Sequence, residues 1–171
     1  NKAFLFISPN KEYEIAMPPR QEKTLAEELN PYFEPVDISL GVINSVSDHD
    51  VNILILSFNS IYENFISDNF QEIYIKRDKA KVEKFEAYVD SVFADCKDEE
   101  FFNVYKNYRL YSLRYMAYQR DKMSMTRKHY LNQPFYYYNP AYMNFFKMMW
   151  KDYIIYNNTH DMGKNLKIDI I

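Results

Sequence analysis

Five groups of residues in this sequence have types that could do chemistry. Cys96 is the lone thiol, so a nucleophilic role is one reading. Its position in register with Val82, Phe85, Val89 and Val92 favours the other, a small buried hydrophobe on an apolar stripe. Asp98, Glu99 and Glu100 could be paired carboxylates for proton transfer. Adjacent residues on a helix diverge, and all three fit a helix start instead, Asp98 as the cap and the glutamates in the first turn. His129 stands beside Tyr130 in apolar company, where a structural histidine is the default. Arg109, Arg114 and Arg120 lie among tyrosines, the setting of packing and ion-pair arginines. The fifth group is Tyr136, Tyr137, Tyr138 and Tyr142, an aromatic run that could stack on a sugar or a peptide. These four are the candidate contact surface; the alternative is that they fold into the core with their hydroxyls wet.

Other chemistries lack their parts. The 2 glycines, Gly41 and Gly163, are too far apart for a loop that cradles phosphate. A single cysteine builds neither an internal disulfide nor a two-cysteine redox motif. The 3 histidines, His49, His129 and His160, share no metal-ligand spacing with each other or with Cys96. No catalytic residue, metal or cofactor is therefore expected. A formal net charge of -3 argues against nucleic acid as a partner. The densest basic run, Lys76 to Lys84, is interrupted by Asp78 and Glu83 and suits a solvated helix face. No apolar run approaches the ~20 residues of a membrane span, so no membrane insertion is expected.

The elements that must position these residues can be read from periodicity. The 171 residues, 47% hydrophobic, are enough for one domain with a core of its own, or one plus a fragment of another. Ala3–Ile7, the turn Ser8-Pro9-Asn10-Lys11 and the alternation of Tyr13, Ile15 and Met17 predict a β-hairpin ended by Pro18-Pro19. Arg20–Asn30 suggests a short helical turn, and Val36, Ile38, Leu40 and Val42 a further strand. Helical spacing takes over after that. Ser47-x-x-Asp50 resembles a capping box before the stripe Leu54, Phe58, Ile61, Phe65 and Ile66. Asp78 caps a second helix, and a third carries Phe101, Phe102, Tyr105, Arg109, Leu113 and Met116. A short fourth covers Ser124–Leu131 and is broken at Asn132-Gln133-Pro134. Asn139-Pro140 is the sharpest start signal, a capping asparagine before a proline at the first helical position. The helix it opens would present Met143, Phe146, Trp150 and Tyr153/Ile154 and end near Asn157-Asn158. The expected fold is mainly α with a small β part: an N-terminal hairpin and one further strand, then a four- to five-helix domain. The expected organisation is 1–45 as the end of a β domain, 46–162 as the helical domain and 163–171 as a linker.

Three stretches carry a family resemblance together. The first is Phe6-x-x-Pro9-Asn10-Lys11-x-Tyr13-x-Ile15, followed by Pro18-Pro19 and Lys23. The second is Glu28-Leu29-Asn30-Pro31-Tyr32-Phe33, leading to Phe58-Asn59-x-Ile61-Tyr62-x-x-Phe65. The third is Tyr130-Leu131-Asn132-Gln133-Pro134, continuing through Tyr138-Asn139-Pro140-Ala141-Tyr142-Met143-x-Phe145-Phe146. They resemble the N-terminal and middle region of TlpA-like cell-envelope proteins of Bacteroidetes, over nearly the whole chain. The resemblance implies a segment cut from a longer parent, preceded by more of a β domain and followed by a C-terminal thioredoxin-like domain. It also implies a periplasmic or outer-membrane lipoprotein location. The family's redox chemistry belongs to a Cys-x-x-Cys of that C-terminal domain, and Cys96 does not match it. The implied function is a non-catalytic helical accessory domain of a thiol–disulfide oxidoreductase, with that domain and an envelope protein substrate as partners. The alternative is a stand-alone glycan- or peptide-binding module using Tyr136, Tyr137, Tyr138 and Tyr142. An enzyme built from scattered carboxylates and His129 has the least support, because no spacing requires them to converge.

Overall fold

A computed structural model describes residues 5–7, 11–17, 19, 22–30, 40–43, 47 and 49–159, with backbone alone at 41 and 155–159. The elements in order are β1 (Ile15–Ala16), α1 (Leu25–Glu28), β2 (Gly41–Val42), α2 (Val51–Asp68), α3 (Lys79–Val92), α4 (Glu100–Ala117), α5 (Lys122–His129) and α6 (Pro140–Thr159). A π-helical turn, Gln71–Ile75, follows α2, and a 3-10 turn, Ala94–Cys96, follows α3. The protein is mainly α with a small β part. It divides into two compact units, 1–53 and 54–171, the division falling inside α2. The alternation at Val36 and Ile38, and everything from His160 to Ile171, lie outside the described residues.

In the first unit β1 pairs antiparallel with β2, Ile15 opposite Val42 and Ala16 opposite Gly41. The ladder thus joins the two alternating segments. The described part of the first apolar run, residues 5–7, is in no strand. Phe6 instead exchanges both backbone bonds with the side-chain amide of Asn52, at 2.9 and 2.8 Å. An amide side chain here does what a neighbouring strand would do. Asn52 is held in turn by Asp50, whose Oδ1 accepts from its backbone N–H and its Nδ2 at 2.9 and 3.0 Å. The other oxygen accepts from Tyr13 at 2.8 Å and Lys11 at 3.2 Å. Burial pushes the Asp50 carboxyl up, but the bonds from Asn52, Tyr13 and Lys11 outweigh it and hold it below the usual range. The expected Ser47–Asp50 capping box does not form. The helix begins one residue after Asp50, so the aspartate is itself the cap, and Ser47 Oγ accepts from His49 N–H. A capping box does form on α1, between Thr24 and Glu27.

The second unit is built around Phe58 of α2, which is fully buried. Its ring meets Tyr62, Phe93, Phe102 and Tyr105 at centroid distances of 5.6 to 6.3 Å. Asp78 caps α3 through the N–H of Lys81 at 3.0 Å, as its sequence position requires. Val82, Phe85 and Val89 are buried, but Val92 is exposed and Phe93 takes its place. The chain leaves the α-helix at Val92 for the tighter turn, which swings Phe93 onto Phe102 at 5.0 Å. Asp98 does not cap α4. The side-chain amide of Asn103 gathers the carbonyls of Cys96, Lys97 and Glu99 at 2.9 to 3.1 Å instead.

α4 is buried along two sides. Phe102, Tyr105 and Leu113 are buried as expected, and so are Tyr108, Leu110 and Ala117. Glu86 of α3 forms a bidentate pair with Arg114 at 2.6 and 2.8 Å, and Asp90 meets Lys106 at 2.9 Å. α5 begins at a cap supplied by Asp121 and ends at His129, so it lies earlier than the expected Ser124–Leu131. Asn139 caps α6 by accepting from the N–H groups of Ala141 and Tyr142, at 3.1 and 3.4 Å. The buried face of α6 is Ala141, Tyr142, Phe145 and Met149. The expected face of Met143, Phe146 and Trp150 is only half-buried, and Tyr153 and Ile154 are exposed. The difference is one residue, or about 100° of helix rotation. It arises because Tyr142 and Phe145 pack against Tyr108 at 4.9 and 6.3 Å.

Two substitutions test this packing by urea denaturation. Phe58→Ala should cost about 3–5 kcal/mol, as expected for an aromatic ring removed from a core. Asn139→Ala should cost about 1–2 kcal/mol for the lost cap.

Candidate functional site

The segment 131–139 joins α5 to α6 and carries the aromatic run. Asn132 turns the chain with φ 60, a left-handed conformation that asparagine tolerates better than most residues. The segment is pinned at both ends. The Tyr130 hydroxyl donates to the Tyr142 carbonyl at 2.9 Å, and the Asn139 N–H donates to the Tyr136 carbonyl at 2.8 Å.

The four tyrosines of the expected surface separate into two pairs. Tyr142 is 4% exposed and leaves the contact surface; its ring is wedged among Tyr108, Tyr130 and Tyr136 at 4.8 to 6.0 Å. Burial pushes its phenol pKa up. Tyr136 is half-buried, edge-on to Tyr142. Tyr137 and Tyr138 are 60% and 79% exposed, their rings 4.0 Å apart. Phe135, also 79% exposed, joins them.

A half-open cleft of about 260 Å³ lies between this segment and the first turns of α4. Its walls are Phe101 and Val104 on one side and Phe135, Tyr136 and Tyr138 on the other, with Glu100 adding an exposed carboxylate. Asn139 lines it too, but its amide is committed: Nδ2 donates to the Phe101 carbonyl at 3.1 Å while Oδ1 caps α6. That bond ties the two walls together. Sequence reasoning named Tyr136 and Tyr138 and missed Phe101, Val104 and Phe135. Phe135 was legible as the start of an unbroken aromatic run, whereas Phe101 and Val104 needed the tertiary contact.

The remaining candidates do not converge. Cys96 is buried, and burial followed by the charges of Asp95 and Glu99 pushes its thiol up, away from the thiolate a nucleophile needs. Arg109 lies over the Tyr62 ring at 4.2 Å, Arg114 is held by Glu86, and Arg120 donates to the Met116 carbonyl at 3.1 Å. Within the basic run, Lys76 pairs with Glu72 at 3.5 Å and Lys79 with Glu83 at 3.4 Å. Among the described residues no three His, Cys, Asp or Glu side chains are grouped to hold a metal ion. No helix among them is long and apolar enough to cross a membrane.

His129 is 6% exposed, stacked on Tyr111 at 3.8 Å, and its Nε2 has no hydrogen-bond partner. Burial, then the charges of Lys128 and Arg114, lower its pKa to about 4, so the imidazole is neutral at pH 7. Below pH 6.5 the unfolded chain takes up a proton at this residue, and the folded chain does not until about pH 4. The stability this residue contributes is therefore present above pH 6.5 and is lost as pH falls toward 4. Thermal unfolding followed from pH 7.5 to 4.5 should show a falling midpoint, and His129→Gln should flatten that fall.

No family model, no curated protein and no solved structure matches this chain.

Proposed function

We propose that the helical unit is a non-catalytic interaction module that docks a segment of another protein in the cleft beside Tyr138. The single observation behind this reading is the placement of Phe135 and Tyr138. Each is 79% exposed, and both face Phe101 and Val104 across a half-open, mainly apolar cleft. Exposed rings held on a pinned segment lose little conformational freedom on binding, which favours their use as contacts. The wider setting rests on the sequence resemblance alone. In it the chain is an accessory part of an envelope TlpA-like thiol–disulfide protein, and a C-terminal thioredoxin-like domain carries the redox chemistry. The helical unit would then recruit or orient a substrate protein for that domain.

A stand-alone glycan-binding module is the second reading, and the exposed Tyr137 and Tyr138 pair favours it as a stacking platform. The polar groups beside the cleft argue for the peptide. A sugar presents many hydroxyls, whereas the cleft adds one carboxylate and phenol hydroxyls, its asparagine amide being already committed.

The two are separated by screening the chain on a random-peptide array and on a glycan array, with Tyr138→Ala as the control. Because Tyr138 is exposed, that variant should keep the wild-type circular dichroism spectrum. Peptide binding that drops about tenfold in Tyr138→Ala is the expected result, in line with removal of one aromatic contact. Binding to glycans alone, or peptide binding indifferent to Tyr138, would overturn the docking reading.

A further inference from the structure

We infer that α5 and α6 together form a second interaction surface, separate from the cleft, and that its occupant is an acidic, Asp- and Glu-rich segment of a partner protein. Residues 122–151 hold five basic side chains, Lys122, Arg127, Lys128, Lys147 and Lys151, and not one Asp or Glu. This stretch therefore carries +5 in a chain of net charge -3, and the rest of the chain carries -8. Residues 152–171 add three aspartates and two lysines, a net of -1, which leaves the surplus at +4. The surplus thus holds wherever those residues lie.

Two side-chain contacts join the helices that carry this charge. Trp150 Nε1 donates to Thr126 Oγ1 at 3.0 Å, and the Phe146 ring meets Tyr130, the residue after α5, at 5.5 Å. α5 and α6 therefore pass each other in opposite senses along this seam. Helix neighbours three and four apart share a side. Lys122 stands four residues before Thr126, and Lys147 three before Trp150, so basic residues of both helices flank the seam. Arg127, Lys128, Lys147 and Lys151 are exposed. Among the described residues none of the five forms an ion pair, whereas Lys76, Lys79, Lys106 and Arg114 each meet a carboxylate. Lys147 and Lys151 are moreover a like-charge pair four apart, which weakens a helix until an anion lies between them. Met123 and Met148 are 52% and 39% exposed, one turn before Arg127 and Lys151. Methionine is an adaptable apolar contact suited to protein partners. A face seated on a bilayer carries Trp, Phe or Leu beside its cations instead. The -8 borne by the rest of the chain also repels an extended anionic surface, bilayer or nucleic acid, more than a short acidic segment.

The probe is an acetylated peptide of Asp, Glu and Leu, compared with its neutral counterpart in which Asn and Gln replace the acids. Each is titrated into the chain while the amide resonances of residues 122–128 and 147–151 are followed by NMR. The acidic peptide should shift these resonances, and its binding should fade between about 0.1 and about 1 M salt, as screening shortens from ~10 to ~3 Å. Lys147→Glu with Lys151→Glu should weaken it about tenfold, the scale of two lost ion pairs and the repulsion that replaces them. The same charge change made elsewhere, Lys84→Glu with Lys97→Glu, should leave binding within about twofold. All four lysines are exposed, so both variants should keep the wild-type circular dichroism spectrum. Tyr138→Ala should leave this binding unchanged, so the surface and the cleft stand or fall separately. Equal binding of the neutral peptide, an equal loss in the Lys84 and Lys97 variant, or no binding at all would overturn the inference. So would binding to single-stranded DNA, or to vesicles of equal parts phosphatidylglycerol and phosphatidylcholine, in place of the peptide.

Discussion

The hydroxyl of Tyr108 donates to the carbonyl of His129 across 2.6 Å, and the second half of the helical unit is organised about that bond. The acceptor is one of the carbonyls that the end of α5 leaves without an intrahelical partner. The donor is a buried phenol, which would be costly without a partner. One contact thus satisfies two groups and sets the distance between α4 and the end of α5. The Tyr108 ring then meets Tyr130 and Tyr142 edge-on at 5.7 and 4.9 Å, and Phe145 at 6.3 Å. Burial pushes the phenols of both Tyr108 and Tyr130 well above their ordinary range, so they remain neutral donors.

The same rule governs the α2 side of α4. Tyr62 donates to the Arg109 carbonyl at 3.3 Å and Tyr105 to the Asn59 side chain at 3.0 Å. Burial raises the Tyr62 pKa to about 12. Tyrosine lets α4 bury two sides while the rings of Tyr105 and Tyr108 each carry a polar anchor. An arrangement that fills the space with Tyr108, Tyr130, Tyr136 and Tyr142 leaves no room inside for the rest of the aromatic run. Phe135, Tyr137 and Tyr138 therefore face outward, and the Asn139–Phe101 bond holds Phe135 and Tyr138 opposite α4. The cleft is the geometric remainder of a core already full of rings.

The first unit depends on a different device. Asp50, with no exposed surface, orders Asn52, and Asn52 captures both backbone groups of Phe6. Among the described residues of this unit the apolar side chains of Ile7, Met17, Leu25, Leu29 and Ile43 are exposed. Here directional hydrogen bonds to one buried carboxylate order the start of α2 and the residues that meet it.

Local signals in the sequence determined the helical content, the Asp78 cap, the Asn139-Pro140 start and the apolar stripe of α3 as far as Val89. Each of these rests on interactions within about one turn of helix, so neighbouring residues suffice to specify them. Tertiary structure alone decided which tyrosines are core and which are surface, where the buried face of α6 lies, and that β1 pairs with the segment at 41–42. The reason lies in the side chain itself. A tyrosine suits a buried site and an exposed one equally well by composition, and what separates Tyr142 from Tyr138 is the position of neighbouring rings and carbonyl acceptors distant in sequence. Those positions exist only once α4, α5 and α6 are packed.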